Sequence, residues 1–144
     1  MAGGVPDTRL VPRAALARAY RRALLGRRGQ ELLGYGEVEG SPRLRLALAE
    51  MLRSTRGLPV SEGDVMITRG SQQALALTAA ALLAPGDVVA VEGLGYQPAW
   101  EALRARGAVL EPLPVDAGGL DVEALARLVE RQALRAVYVT PHHQ

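Results

Sequence analysis

Residues 70–73 have the types and spacing that bind an anion. Gly70 allows the backbone to approach a ligand closely, and Ser71 stands where an apolar helical pattern begins. The backbone N–H groups of Ser71, Gln72 and Gln73 are then in the first turn of a helix, where they have no helical partner and the helix dipole is positive. These four residues therefore predict an anion-binding turn. The alternative is that Ser71 only caps the helix.

Gly93 and Gly95 form a second turn between an apolar run and a helical pattern. The aromatic ring of Tyr96, at the end of this turn, is suited to stack on a planar heterocycle, and half-buried packing is its alternative role. A different interpretation treats the two glycines as a dinucleotide-binding fingerprint, with Glu111 holding the ribose. That motif needs a third glycine at the position where this sequence has Pro98.

No set of side chains has the spacing of a metal site or of a general acid–base pair. His142 and His143 are adjacent, so their side chains point in different directions, and no third ligand accompanies them. We therefore expect a solvated pair and no metal. The clustered carboxylates also lack a catalytic spacing. They are Glu37 and Glu39, Glu62 and Asp64, and Glu92.

The composition excludes several classes of chemistry. All 17 basic residues are arginine, so no side chain can form a Schiff base, and the absence of cysteine excludes a thiolate nucleophile or a disulfide. The formal net charge of +2 is too small to predict a nucleic-acid surface. A hydrophobic content of 49%, without a long apolar run, predicts a soluble cytoplasmic protein with no membrane span.

Alternating apolar runs and amphipathic helices must position these turns. We predict strands at residues 64–68, 87–92, 108–112 and 135–140, with helices at 71–83, 97–106 and 121–131 between them. Strands that alternate with helices form a mostly parallel sheet covered by helices. Ligands bind beyond the carboxyl ends of such strands, so the anion turn and Tyr96 are expected at one edge of the sheet.

Two further helices are predicted before this sheet. Pro12 begins the first, and Gly26 and Gly29 end it. Ser41 and Pro42 begin the second, and Gly57 ends it. The apolar stripe of the first helix comprises Leu16, Tyr20, Ala23 and Leu24.

Nearly the whole chain carries the motifs of one protein family, in the family's order and spacing. The motifs are LGYG at 33–36, PRLRLALA at 42–49, TRGL at 55–58, ITRGSQQAL at 67–75, PGDVVAVE at 85–92, GY at 95–96, GGLDVEAL at 118–125 and VYVTPHHQ at 137–144. Together they resemble the fold-type I aminotransferases, which depend on pyridoxal 5′-phosphate. The closing Thr-Pro-x-His-Gln favours the aminotransferase-like domain of MocR-type transcriptional regulators over a free-standing aminotransferase.

The resemblance implies an α/β fold with three α/β/α layers around a mostly parallel sheet. This chain would be the incomplete N-terminal half of the fold-type I large domain. Residues 1–57 would form an arm and helices that belong to the small domain and the dimer contact, and residues 58–144 would begin the cofactor-binding large domain. Because the family's partner for the strand at 64–68 follows residue 144, we expect that strand to expose an apolar edge.

The resemblance also implies roles for individual residues. Gly70, Ser71 and Gln72 correspond to the turn that receives the cofactor phosphate, in agreement with the anion-binding pattern. Tyr96 corresponds to the residue stacked on the pyridine ring. Tyr35 corresponds to a loop tyrosine that crosses the dimer interface to the partner's phosphate. His143 and Gln144 lead into a segment that supplies a contact near the ring hydroxyl.

Other parts of the family's machinery are expected outside these 144 residues. The Schiff-base lysine, the aspartate that pairs with the ring nitrogen and the carboxylate-binding arginine lie downstream in the family, and the regulators carry an upstream winged-helix domain that binds DNA. We therefore expect a fragment that binds the cofactor weakly or not at all and is inactive alone. Its parent would be a homodimeric regulator that senses an amino acid or the cofactor. The alternatives are a fragment of a free-standing amino-acid aminotransferase and an inactive truncated product.

Overall fold

The computed structural model describes residues 7–27 and 29–141. The chain divides into two compact units, Met1–Ile67 and Thr68–Gln144. The described part of the first unit contains helices α1 (Arg13–Leu25) and α2 (Pro42–Arg56) and three short 3₁₀ turns, which lie before α1 (Thr8–Leu10), between the helices (Glu31–Leu33) and after α2 (Glu62–Asp64). The predicted assignment of residues 1–57 and 58–144 to two functional domains stays a prediction.

Helix α2 begins and ends where the sequence predicts. Pro42 occupies its first turn, and Gly57 ends it in the left-handed conformation, at φ 64°, with its N–H bonded to the Arg53 carbonyl. Ser41 stands at the N-cap position, but its hydroxyl makes no capping hydrogen bond. The apolar stripe of α1 is present, yet every residue of that helix is exposed.

The second unit is built around a parallel sheet. Its elements are α3 (Ser71–Leu82), β1 (Val88–Glu92), α4 (Gln97–Arg104), β2 (Val109–Leu113), β3 (Val115–Asp116), β4 (Gly119–Leu120), α5 (Val122–Arg131) and β5 (Ala136–Tyr138). The strand order is β2-β1-β5, and both pairings are parallel. Strands β3 and β4 form a small antiparallel hairpin that the sequence did not predict.

Strand β1 separates two apolar layers because its side chains alternate between the faces of the sheet. Val89 and Val91 pack in a cluster with Trp100 of α4 and with Ala79 of α3. Ala90 packs on the other side with α5, in a cluster with Leu113 and Leu128. Helices therefore cover both faces, and the predicted three-layer α/β/α arrangement is confirmed for this part of the domain.

The strand predicted at residues 64–68 is wrong for this chain. Asp64 ends a 3₁₀ turn, and the following residues are extended but belong to no ladder. A strand needs hydrogen bonds to a neighbour, and the only ladder-like bond here runs from the Ile67 N–H to the Glu39 carbonyl, at 2.8 Å. Met66 remains half exposed beside it. The apolar pattern thus gave the correct backbone region without the pairing that defines a strand.

No helix among the described residues is long and apolar enough to cross a membrane.

Candidate functional site

The start of α3 is a cluster of free backbone donors. Gly70 is the N-cap residue, at φ 86° and ψ 173°, a backbone region that only glycine adopts without strain. The first bond of the helix runs from the Ala74 N–H to the Gly70 carbonyl, at 3.4 Å. Within residues 7–27 and 29–141, the N–H groups of Ser71, Gln72 and Gln73 have no hydrogen-bond acceptor. They are available to an anion at the positive end of the helix dipole.

Two side chains fix the shape of this turn. The Gln73 side-chain oxygen accepts a 2.6 Å bond from the Arg69 N–H. The Thr68 hydroxyl donates to the Gly70 carbonyl at 3.1 Å. Gly70 occupies the N-cap position and Ser71 is the first residue of the helix, so Ser71 does not stand at the position of a helix cap.

Tyr96 lies beside the anion turn although 24 residues separate it from Gln72. It is the N-cap residue of α4, directly after β1 and its glycine turn. The Gln72 side-chain amide donates a long hydrogen bond of 3.4 Å to the Tyr96 hydroxyl. Because Tyr96 remains 46% exposed, its ring is open to a ligand while its hydroxyl is held at the turn.

The two glycines before Tyr96 are explained by packing. A Cβ on Gly93 would lie 2.8 Å from the Leu113 carbonyl oxygen, to which the Gly93 N–H donates at 2.7 Å. A Cβ on Gly95 would lie 3.1 Å from both the Glu92 carbonyl oxygen and the Trp100 ring. The close approach of backbone and indole therefore accounts for both glycines without the dinucleotide site.

A buried carboxylate lies at the end of β1, next to the same turn. Glu92 is only 2% exposed. Its two oxygens accept hydrogen bonds from Thr140, one from the backbone N–H at 3.0 Å and one from the hydroxyl at 2.6 Å. Burial raises the pKa of Tyr138, and the negative charges of Glu92 and Tyr96 raise that pKa further.

Tyr35 belongs to the first unit, where its side chain is fully exposed. The loop that carries it is anchored by Arg45 of α2, whose guanidinium contacts Glu37 at 2.7 Å and Glu62 at 3.4 Å. The Arg45 Nε is buried and has no hydrogen-bond partner in the described structure. These contacts hold the loop but leave the role of Tyr35 a prediction.

The predicted end-of-chain residues His142, His143 and Gln144 lie outside the described residues. In the part of the chain that the structure describes, no group of three or more histidine, cysteine, aspartate or glutamate residues is placed to hold a metal ion.

Sequence reasoning missed the side-chain contacts of three residues that shape the site, Gln73, Glu92 and Thr140. Gln73 stands three positions after the N-cap, where a glutamine side chain commonly accepts a bond from the backbone at the start of its helix. This contact could therefore have been predicted from the sequence. Glu92 was noticed only as a carboxylate without catalytic spacing. Its contact with Thr140, 48 residues away, leaves no local signal.

Comparison with known proteins places these features in a family. The family model described as aminotransferase class I and II matches residues 2–142. The chain is 32% identical to aromatic-amino-acid aminotransferase 1 of Thermococcus litoralis, over all of this chain and 36% of that protein. It is 36% identical to the probable rhizopine catabolism regulatory protein MocR of Rhizobium meliloti, over 98% of this chain and 28% of that protein.

The fold gives the same result. The crystal structure of the α-aminoadipate aminotransferase LysN of Thermus thermophilus, complexed with N-(5′-phosphopyridoxyl)-L-leucine, superposes with a TM-score of 0.85 at 34% identity. The match covers 97% of this chain and 34% of that one. The chain thus spans about a third of the length of its relatives. It belongs to the aminotransferase class I and II family, with the fold-type I architecture.

Proposed function

We propose that this chain supplies the phosphate-binding turn and the ring-stacking tyrosine of a pyridoxal 5′-phosphate site, in the aminotransferase-like domain of a MocR-type transcriptional regulator. The observation that carries the proposal is the junction of the α3 N-terminus with Tyr96 through the Gln72 side chain. The same residues that offer anion donors are thereby next to an open aromatic ring.

The α3 turn suits the cofactor phosphate. A phosphate dianion accepts several charge-assisted hydrogen bonds, and the consecutive N–H groups of Ser71, Gln72 and Gln73 provide them in one direction. The Ser71 hydroxyl adds a further donor. Gly70 gives this turn its shape, and the absence of a side chain there leaves open space next to it, with no atom within 4 Å of a built Cβ.

Tyr96 suits the ring of the cofactor. Its hydroxyl accepts a long hydrogen bond from Gln72 at 3.4 Å, which places the ring beside the anion turn. An aromatic pair of this kind contributes about 0.5–1.5 kcal/mol beyond the area it buries. The phosphate would be held by Gly70, Ser71 and Gln72, and the ring would lie against Tyr96.

When bound, pyridoxal 5′-phosphate supplies an electron-withdrawing ring that stabilises negative charge on a substrate carbon. The residues of this chain can bind and orient it, but none can form the covalent link, since the 144 residues contain no lysine. We therefore expect weak binding and no transamination from these residues alone.

The homodimer belongs to the same proposal. Tyr35 would reach the phosphate of the partner subunit, and its full exposure on a loop anchored by Arg45 and Glu37 supports that role. The bound ligand of the whole protein would be an amino acid or the cofactor itself, and its location would be cytoplasmic.

Relatives of two kinds match this chain with similar identity, so identity does not decide between a regulator and an enzyme. The Thr140-Pro141-x-His143-Gln144 sequence is the feature that favours the regulator. The flanking coding sequence tests this choice directly. A winged helix encoded upstream supports the regulator, a complete aminotransferase without one contradicts it, and a stop codon directly after Gln144 favours the inactive product.

An NMR titration tests the cofactor site. The ¹⁵N-labelled chain is titrated with pyridoxamine 5′-phosphate, which has no aldehyde to react with the N-terminal amine. Binding through one helix N-terminus and one stacking contact is expected to have a Kd of about 1 mM. The amide signals of Ser71, Gln72 and Gln73 and the ring signals of Tyr96 should shift together with one saturation curve.

Two ligand controls separate the contacts. Inorganic phosphate should shift the three amide signals without the Tyr96 ring, and pyridoxine, which lacks the phosphate, should leave the amides unchanged. Unchanged amide signals of the anion turn at about 10 mM pyridoxamine 5′-phosphate, ten times the expected Kd, contradict the proposal. Shifts centred on another part of the chain contradict it as well.

A further inference from the structure

Among the described residues, Thr140 is the hydrogen-bonding partner of the buried Glu92 carboxylate. Its Oε1 accepts the Thr140 N–H at 3.0 Å and its Oε2 accepts the Thr140 hydroxyl at 2.6 Å. Glu92 is 2% exposed, and within the described residues no cation forms an ion pair with it. Burying a carboxylate in this way costs free energy that an apolar residue would not cost.

The place of this contact suggests what the carboxylate does. Strands β1 and β5 run side by side, with Val91 opposite Tyr138, so Glu92 and Thr140 stand just where the two strands diverge. Beyond Glu92 the chain enters the turn that ends at Tyr96, and beyond Thr140 it leaves the sheet. The contact therefore ties two loops together at the edge of the sheet where a ligand is expected.

Tyr138, the last residue of β5, belongs to the same edge. Burial is the main cause of its raised pKa, and the charges of Glu92 and Tyr96 raise that pKa further. The 3.4 Å hydrogen bond from Gln72 to Tyr96 connects the turn after β1 to the anion turn.

We propose that Glu92 is a positioning residue for Tyr96: held by Thr140, its carboxylate fixes the turn at residues 93–96 and so sets the Tyr96 ring beside Gln72. Its effect on cofactor binding rests on the proposed function above, whereas its effect on the position of Tyr96 does not. Glu92 itself does not touch the ligand, because its two oxygens are both engaged with Thr140 in the interior.

Four substitutions test this role. Thr140→Val removes the hydroxyl at nearly constant volume, and Glu92→Ala removes both bonds. Thr140→Ser keeps the hydroxyl and should preserve the bond to Glu92. Val91→Ala, in the same strand as Glu92, is the matched control for the loss of buried volume. Two measurements are made on the intact chain: the Gln72 side-chain and Tyr96 ring NMR signals without ligand, and the Kd for pyridoxamine 5′-phosphate.

Thr140→Val and Glu92→Ala should shift the unliganded Gln72 and Tyr96 signals and weaken binding about tenfold. Thr140→Ser should restore both properties. Val91→Ala should lower the melting temperature without changing either, which separates positioning from general stability. Where Glu92→Ala does not fold, Thr140→Val alone decides the question.

Wild-type signals and affinity in Thr140→Val would overturn the proposal, and so would equal changes in Val91→Ala. The two proposals fail separately. If the wild-type chain shows no shift with pyridoxamine 5′-phosphate, the proposed function fails, while the unliganded signals of Gln72 and Tyr96 still decide the positioning role of Glu92.

Discussion

Replacing Gly70 with alanine should abolish anion binding, because alanine would strain the backbone conformation that the turn requires. Gly70 stands at φ 86° and ψ 173°, a region that costs a residue with a Cβ about 1–3 kcal/mol. No atom lies within 4 Å of a Cβ built there, so the cost comes from the backbone conformation and not from a collision. The chain can escape it only by rotating Gly70 to a negative φ, which redirects the segment before α3 across the three free N–H groups and breaks the bond from the Arg69 N–H to the Gln73 side chain.

Gly86→Ala is a matched control for this experiment. Gly86 has φ 90° and equally open space around a built Cβ, so the same kind of strain is expected. It lies before β1, whereas the site lies after it, and the five residues of that strand separate the two ends by about 16 Å. The two variants should therefore lose similar stability, but only Gly70→Ala should lose the anion.

Two measurements on both variants check the reasoning. Urea denaturation should give free energies of unfolding lower than the wild type by about 1–3 kcal/mol in each variant. Phosphate titration followed by the amide signals of Ser71 and Gln72 should show saturation in Gly86→Ala and none in Gly70→Ala. Phosphate binding retained by Gly70→Ala at wild-type affinity would refute the anion turn. Equal loss of binding in both variants would show that the loss reflects stability and not the turn.

Three further outcomes follow from the packing and charge of the chain. In Gly95→Ala the new Cβ would lie 3.1 Å from the Trp100 ring. This variant should lower the free energy of unfolding by about 1–3 kcal/mol in urea denaturation and shift the Trp100 fluorescence emission. The control Gly36→Ala, with open space around its Cβ, should change neither property. Because the pKa of Tyr138 is raised in the folded chain, the folded state keeps the Tyr138 proton above pH 10 while the unfolded state loses it. The free energy of unfolding should therefore fall above pH 10 in the wild type and fall less in Tyr138→Phe. Denaturation at pH 9 and pH 11 measures this difference. The exposed apolar residues of α1 should make the isolated chain associate or unfold at low denaturant, and a sharp, reversible unfolding of a monomer in sedimentation and denaturation experiments would count against this.

The secondary structure was predictable where one short segment decides it. The run at 88–91 is apolar and mostly β-branched, and with Glu92 it forms β1, which begins one residue after the predicted start. Asp121 caps α5 as its position suggests, accepting the Ala124 N–H at 2.8 Å. The run at 64–68 has a similar apolar character, but a strand also needs a neighbour, and that requirement is absent from a local pattern. The hairpin of β3 and β4 was missed because two-residue strands are too short to show periodicity.

The site divides in the same way. The anion turn is local, since a glycine before a helix start fixes both the backbone shape and the free N–H groups, and Gly70 could be identified from the sequence. The contact of Gln72 with Tyr96 joins residues 24 positions apart and depends on how α3 and α4 pack against β1. Sequence alone gave the two halves of the candidate site without the bond between them.

Glu92 shows why the remaining part could not be read from the sequence. A carboxylate at the end of an apolar strand normally marks the point where the chain reaches solvent, and that expectation is contradicted by the 2% exposure of Glu92. The bonds from Thr140 to its carboxylate arise only when β5 is placed next to β1.

The absence of lysine affects covalent chemistry and cofactor recognition differently. In the proposed site the phosphate donors would be backbone groups and the cofactor ring would lie against Tyr96, so recognition of the cofactor would depend on residues of this chain, whereas covalent chemistry would depend on a lysine that its sequence does not contain. Binding without transamination is therefore the expected behaviour of these residues, and each of the two can be measured without the other.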